Sequence, residues 1–201
     1  MRVYVANFGR GNWAWPDCLA RNSIAIQDDV SIFPFWEQQD RDGYIRKAQS
    51  YFRLPNGRPV PERVASRWFN LLTEFHETTN DFWVHHAGEE LWWTLSTDAP
   101  PSDEIIDDPS PPLSDERRIH VFHKPCLAWS NRNRNNLLLR WKRIHPKARK
   151  FLFAVSTFHA LTTDNAAYAR AQISGDPLSN WHERPDWLRE ARREPGWAGP
   201  I

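Results

Sequence analysis

Tryptophan in the company of asparagine and arginine is the pattern in this chain that carries the most chemistry. Trp13 and Trp15 follow Gly9, Arg10, Gly11 and Asn12; Trp92 and Trp93 are adjacent; Trp129 precedes Asn131, Arg132, Asn133 and Arg134. An indole offers a flat apolar face and one N–H donor, which suits it to stacking on another flat ring. A nucleobase turned out of its stack is such a ring, and proteins hold one with aromatic faces while hydrogen bonds read its edge. Asn12 and Asn131 each carry a donor and an acceptor for that edge. Trp13, Trp15, Trp92, Trp93 and Trp129 are therefore candidate base-binding residues, although most of the twelve tryptophans must also serve the core.

Phosphate needs cations nearby. Arg10, between two glycines, has backbone freedom and a guanidinium fork suited to it. Residues 132–150 hold Arg132, Arg134, Arg140, Lys142 and Arg143, then Lys147, Arg149 and Lys150, with no acid among them. Such a run is either a solvated face or, interleaved with Trp129, Asn131 and Trp141, a phosphate-and-base surface. Net charge is only +1, from 26 basic and 25 acidic side chains, so any nucleic-acid contact has to rest on a local patch. Residues 98–116 run the other way, with acids and prolines alternating. They predict a solvated excursion without regular structure, one that could lie over the basic strip.

An enzyme acting on a flipped base would also need a group to stabilise an oxocarbenium-like sugar and position water. Asp17, Asp28 and Asp29 are the acids nearest the aromatic loop, and for Asp17 a cap on the helix it begins is the favoured role. No metal is expected. His85 and His86 point to opposite faces of a strand, His120 and His123 do the same, and neither Cys-x-x-Cys nor His-Glu-x-x-His occurs. Cys18 and Cys126 lack the local partners that mark an active thiol. No cofactor is implied.

The elements that must position these residues are mixed. Residues 2–8 predict a strand, 17–21 a short helix stopped by Asn22, and 23–26 a second strand. Residues 40–48 open with a helix-start signal. Residues 61–75 place Val64, Trp68, Leu71, Leu72 and Phe75 at helical spacing. Residues 82–96 predict a hairpin turning at Gly88. A further strand at 118–122 and helices at 146–158, 164–173 and 185–193 complete the set. Without regular βαβ alternation this is α+β: a small curved mixed sheet or barrel with surrounding helices. At 201 residues a single domain is expected. The N-terminus has no signal-peptide run and no stretch is apolar enough to span a membrane, so a reduced, cytoplasmic setting is expected.

The opening order, a strand running into the polar aromatic loop Phe8–Asp17, a short helix and a small second strand, followed later by an amphipathic helix and the hairpin Asp81–Leu95, resembles the PUA-like superfamily. The EVE and YTH branches are closest. The resemblance covers residues 1–150, with the acidic loop 98–116 as an insertion and 151–201 as a helical extension packed on the same domain. It implies a nucleic-acid partner, DNA carrying a modified base, with Asn7, Arg10, Asn12, Trp13 and Trp15 at the mouth of a base pocket. Ser23–Ile26 lacks the cage tryptophan that YTH domains carry there. Three functions follow. The first is a modified-base reader used in defence against foreign DNA, with a separate nuclease partner for cutting. The second is a DNA glycosylase excising such a base, and the third a protein–protein interaction module.

Overall fold

The computed structural model describes residues 1–109, 118–154 and 157–178. Its architecture is α+β. Among the described residues the strands form two sheets, and neither closes into a barrel, which corrects the expectation of a single curved sheet or barrel.

The first sheet is built on β1 (Val3–Ala6), which pairs parallel with β3 (Phe82–Ala87) and antiparallel with β7 (Phe158–Ala160). A hairpin through Gly88, at φ +59, adds β4 (Glu90–Leu95) to β3. All four β1 residues are buried because both faces of this sheet are covered. Tyr4, Ala6 and Trp83 face α4 (Glu62–Glu77) and the second sheet, whereas Val3, Val5 and Val84 face α5 (Pro146–Phe151) and α6 (Thr163–Ser174).

The second sheet has the order β2-β6-β5, all antiparallel: β2 (Ser23–Asp29), β6 (Arg118–Pro125) and β5 (Ser102–Asp107). Beyond β6 the chain crosses to the β4 edge, where Cys126 bridges Ser96 and Ser130 bridges Trp93. α1 (Trp15–Arg21) leads into β2 through Asn22, whose φ of 52 closes the helix in the left-handed conformation. α2 (Phe33–Glu37) and α3 (Arg41–Tyr51) pack with α4 around Tyr44 and Phe69.

Two local expectations change. Residues 102–107 are not irregular: β5 pairs with β6 along its whole length, Ile106 packs on the core, and Pro101 and Pro109 flank the strand without interrupting its ladder. The helix expected over 146–158 stops at Phe151, because Phe158–Ala160 is taken up as β7 on the free edge of β1. Residues 164–173 lie in α6, and the helix expected at 185–193 lies outside the described residues. No helix among the described residues is long and apolar enough to cross a membrane. Both cysteines are buried and free, and burial pushes the thiols of Cys18 and Cys126 up to about 12 and about 11.

Candidate nucleic-acid interface

The loop after β1 is shaped by residues that tolerate positive φ. Gly9 (φ 78), Gly11 (φ 71) and Asn12 (φ 59) turn the chain through a 3-10 turn at Arg10–Asn12. Asn12 Oδ1 accepts from the Phe8 N–H at 3.1 Å, and the Ala14 N–H closes back on Phe8 O at 3.1 Å. Held this way, Trp13 lays its indole against Gly9.

That indole is one wall of a cavity of about 760 Å³, within the size range of ligand sites. The loop supplies Asn7, Arg10 and Trp13. Strand β2 supplies Ala25, Ile26 and Gln27, with Val121 behind them. The opposite wall is α4, which contributes Arg63, Val64, Arg67, Trp68 and Leu71. Their spacing of i, i+1, i+4, i+5 and i+8 puts all five on one helical face. A smaller chamber of about 200 Å³ shares Gln27, Trp68 and Leu71 and reaches Asp28 and Asp29.

The polar character of the cavity is uneven. Asn7 Oδ1, Gln27 Oε1 and Trp13 Nε1 are buried and have no hydrogen-bond partner among the described residues. Leaving such atoms unpaired costs on the order of 1–3 kcal/mol each. The edge of β2 adds to them. Cys126 N–H donates to Asn22 O and Val30 N–H to Arg118 O, so even-numbered residues of β2 bond to β6 and Gln27 turns its peptide group outward, toward the cavity. No carboxylate lines the main chamber among the described residues. Arg10, Arg63 and Arg67 are exposed around it. The lining is therefore neutral and the rim cationic.

No protein-family model, curated protein or solved structure matches the chain. The geometry of the site therefore carries the functional argument.

Of the residues singled out in the sequence, the cavity gathers Asn7, Arg10 and Trp13. Asn12 acts one step removed, since its acceptor is engaged by the loop backbone. Trp15, Trp92 and Trp129 come together elsewhere, in a cluster with Phe8 and His85: Trp15 lies 5.1 Å from Trp129 and 5.5 Å from Trp92, ring centre to ring centre. Trp129 is buried and its Nε1 donates to Ser23 O at 3.0 Å, so its one polar handle is used within the fold. Trp93 donates from Nε1 to Arg132 O at 2.7 Å, and Asn131 Nδ2 donates to Glu90 Oε2 at 2.7 Å.

The basic strip does not reach the cavity. Residues 130–141 run along the β4 edge, where Leu91 and Leu139 are hydrogen-bonded. Arg132 donates to Asn136 O, Lys142 pairs with Glu89 at 3.1 Å, and Arg134, Arg140 and Arg143 are exposed on that side. None of these five lines the chamber. Charge runs mark exposure, and here the exposed face is not the concave one.

The three acids separate. Asp17 is off the cavity, ion-paired to Arg21 at 2.8 Å. Asp29 accepts from both the N–H and the hydroxyl of Ser31. Asp28 lines the inner chamber and accepts from Tyr44 Oη at 3.0 Å. Burial, and then the charge of Asp28, raise the Tyr44 phenol well above its ordinary range.

A mixed trio not anticipated from histidine spacing lies outside the cavity: ligand atoms of Asp17, Glu104 and His123 are all within 4.8 Å of one another. His123 Nδ1 is 3.0 Å from Ser23 Oγ, and burial together with the Arg21 charge lowers its pKa. The Arg21 guanidinium already joins Asp17 to Glu104, at 2.8 and 3.2 Å, so an ion would have to displace it.

Sequence patterning singles out none of Gln27, Arg63, Arg67 and Trp68 as a site residue. A signal existed for three of them. Arg63, Arg67 and Trp68 sit on the same stripe of an amphipathic helix as Val64 and Leu71, an apolar face edged by cations. Gln27 left none, because an edge strand cannot be told from a central one without its partners.

Proposed function

We propose that this protein binds nucleic acid by taking one base, turned out of its stack, into the cavity between Trp13 and Trp68. The observation that carries this reading is a neutral cavity walled by the indoles of Trp13 and Trp68 and lined by Asn7 and Gln27, with Arg10, Arg63 and Arg67 at its rim. A base is flat and neutral with donors and acceptors along its edge, while its phosphates are anionic and stay in water. The inner chamber leaves room for a substituent on the base, which fits a reader of modified bases. Such a reader would serve in defence against foreign DNA when a partner supplies the nuclease. A second reading, excision of the base, draws on Asp28, which lines the inner chamber beside Asp29 and has its carboxylate held by Tyr44.

The test is fluorescence anisotropy on single- and double-stranded oligonucleotides with modified or unmodified bases, with free-base release read on the same samples. Salt-sensitive binding that is lost in Trp13→Ala and Trp68→Ala is the expected result. Release of a base that Asp28→Asn abolishes would establish the enzyme. Binding to neither DNA nor RNA would overturn both and leave the interaction module.

A further inference from the structure

The geometry points to a track for the polynucleotide strand: it leaves the base cavity between α4 and β7, and the basic strip at 132–150 plays no part. The inference rests on the base-binding reading and extends it to the neighbouring nucleotides. A groove of about 370 Å³ opens beside the cavity and shares Arg63, Arg67 and Leu71 with it. Its further walls are Ser66 and Asn70 on α4 and His159 on β7.

Three features suit this groove to a sugar–phosphate chain. Arg63 and Arg67 stand one helical turn apart, about 6 Å along the axis, and Asn70 follows a further ~4.5 Å on, so cation, cation and amide form a ladder on one side of the helix. Ser66 Oγ accepts from the guanidinium of Arg41, which brings a third cation up to the groove from α3. The acid at the far end, Glu74, accepts from Tyr4 Oη at 2.9 Å and is paired with Arg2 at 3.4 Å, so its charge is offset. Neutral and cationic donors close to a base pocket are what a strand needs to continue past a captured base.

The experiment is a length ladder: single-stranded DNA and RNA of one, three and six nucleotides, titrated at several salt concentrations against the wild type, Asn70→Glu, Asn70→Lys and an Arg132→Glu/Arg134→Glu double variant. Asn70 is exposed and outside the cavity, so both substitutions should fold and leave mononucleotide affinity unchanged. The expected result is a gain of about tenfold or more from one to six nucleotides, salt-dependent as phosphate contacts are. It should be much reduced in Asn70→Glu, enlarged in Asn70→Lys and intact in the double variant. A gain unaffected at position 70, or abolished by the double variant, overturns the track. A mononucleotide that binds with no gain on lengthening also overturns the track and leaves the cavity standing. A length gain sensitive to Asn70 with no mononucleotide binding supports the track and overturns the base cavity.

Discussion

The indole of Trp13 lies so close to Gly9 that a β-carbon at position 9 would overlap the ring at its nitrogen edge. Gly9 also has φ 78 and ψ 174, a region open essentially to glycine alone. Gly9→Ala should therefore cost about 1–3 kcal/mol of stability and displace Trp13 from the cavity wall, with loss of ligand affinity. Gly57 makes the control. It too has a positive φ, but nothing lies within 4 Å of its missing β-carbon and it does not line the cavity. Gly57→Ala should lower the denaturation midpoint and keep the affinity, as urea titration and anisotropy would show together.

Two tryptophans should part company on substitution. Trp68 is half-buried at the cavity, and Trp68→Ala is expected to weaken base binding by about 1–3 kcal/mol while the fold persists. Trp129→Phe removes the donor to Ser23 O inside the core. It should cost about 1–3 kcal/mol of stability and leave binding unchanged. If Trp129→Phe lowered affinity at constant stability, the packed cluster and not the cavity would be the site.

The rim arginines should appear in the salt dependence. Removing one cation that neutralises a phosphate of a single strand lowers the slope of log affinity against log salt by about 0.7. Arg63→Ala and Arg67→Ala should each do so, and Arg132→Ala should not. Titrations between low and physiological salt would separate them.

The fold should weaken in acid through His85. This imidazole is 1% exposed, its Nδ1–H donates to Ala6 O at 3.0 Å, and burial pushes its pKa down to about 4. The unfolded chain binds the proton with the ordinary value near 6.5, so between those values the unfolded state carries more protons and stability rises with pH. The stability present above about pH 6.5 is lost as pH falls toward about 4, by about 3 kcal/mol. His85→Asn keeps a donor for Ala6 O and removes the titration. Its denaturation midpoints should vary less between about pH 7 and about pH 4.5 than those of the wild type.

Local order was legible in the chain because it depends on neighbours. The alternation at 82–96 with Gly88 between, the 3.6-residue stripe of α4, and the glycine–asparagine turn after β1 all follow from side-chain period and backbone freedom. So did α+β. What remained hidden was which faces meet. The sequence marks Trp129 and the basic run through charge and aromatic density, yet packing buries the one and turns the other to the β4 side. Trp68 and Gln27 reach the cavity only because α4 lies across the free edge of β2, a meeting of residues distant in the chain. Pairing of β5 with β6 and capture of β7 by β1 were likewise decided in three dimensions, since a short strand is stabilised by a partner that its own residues do not specify.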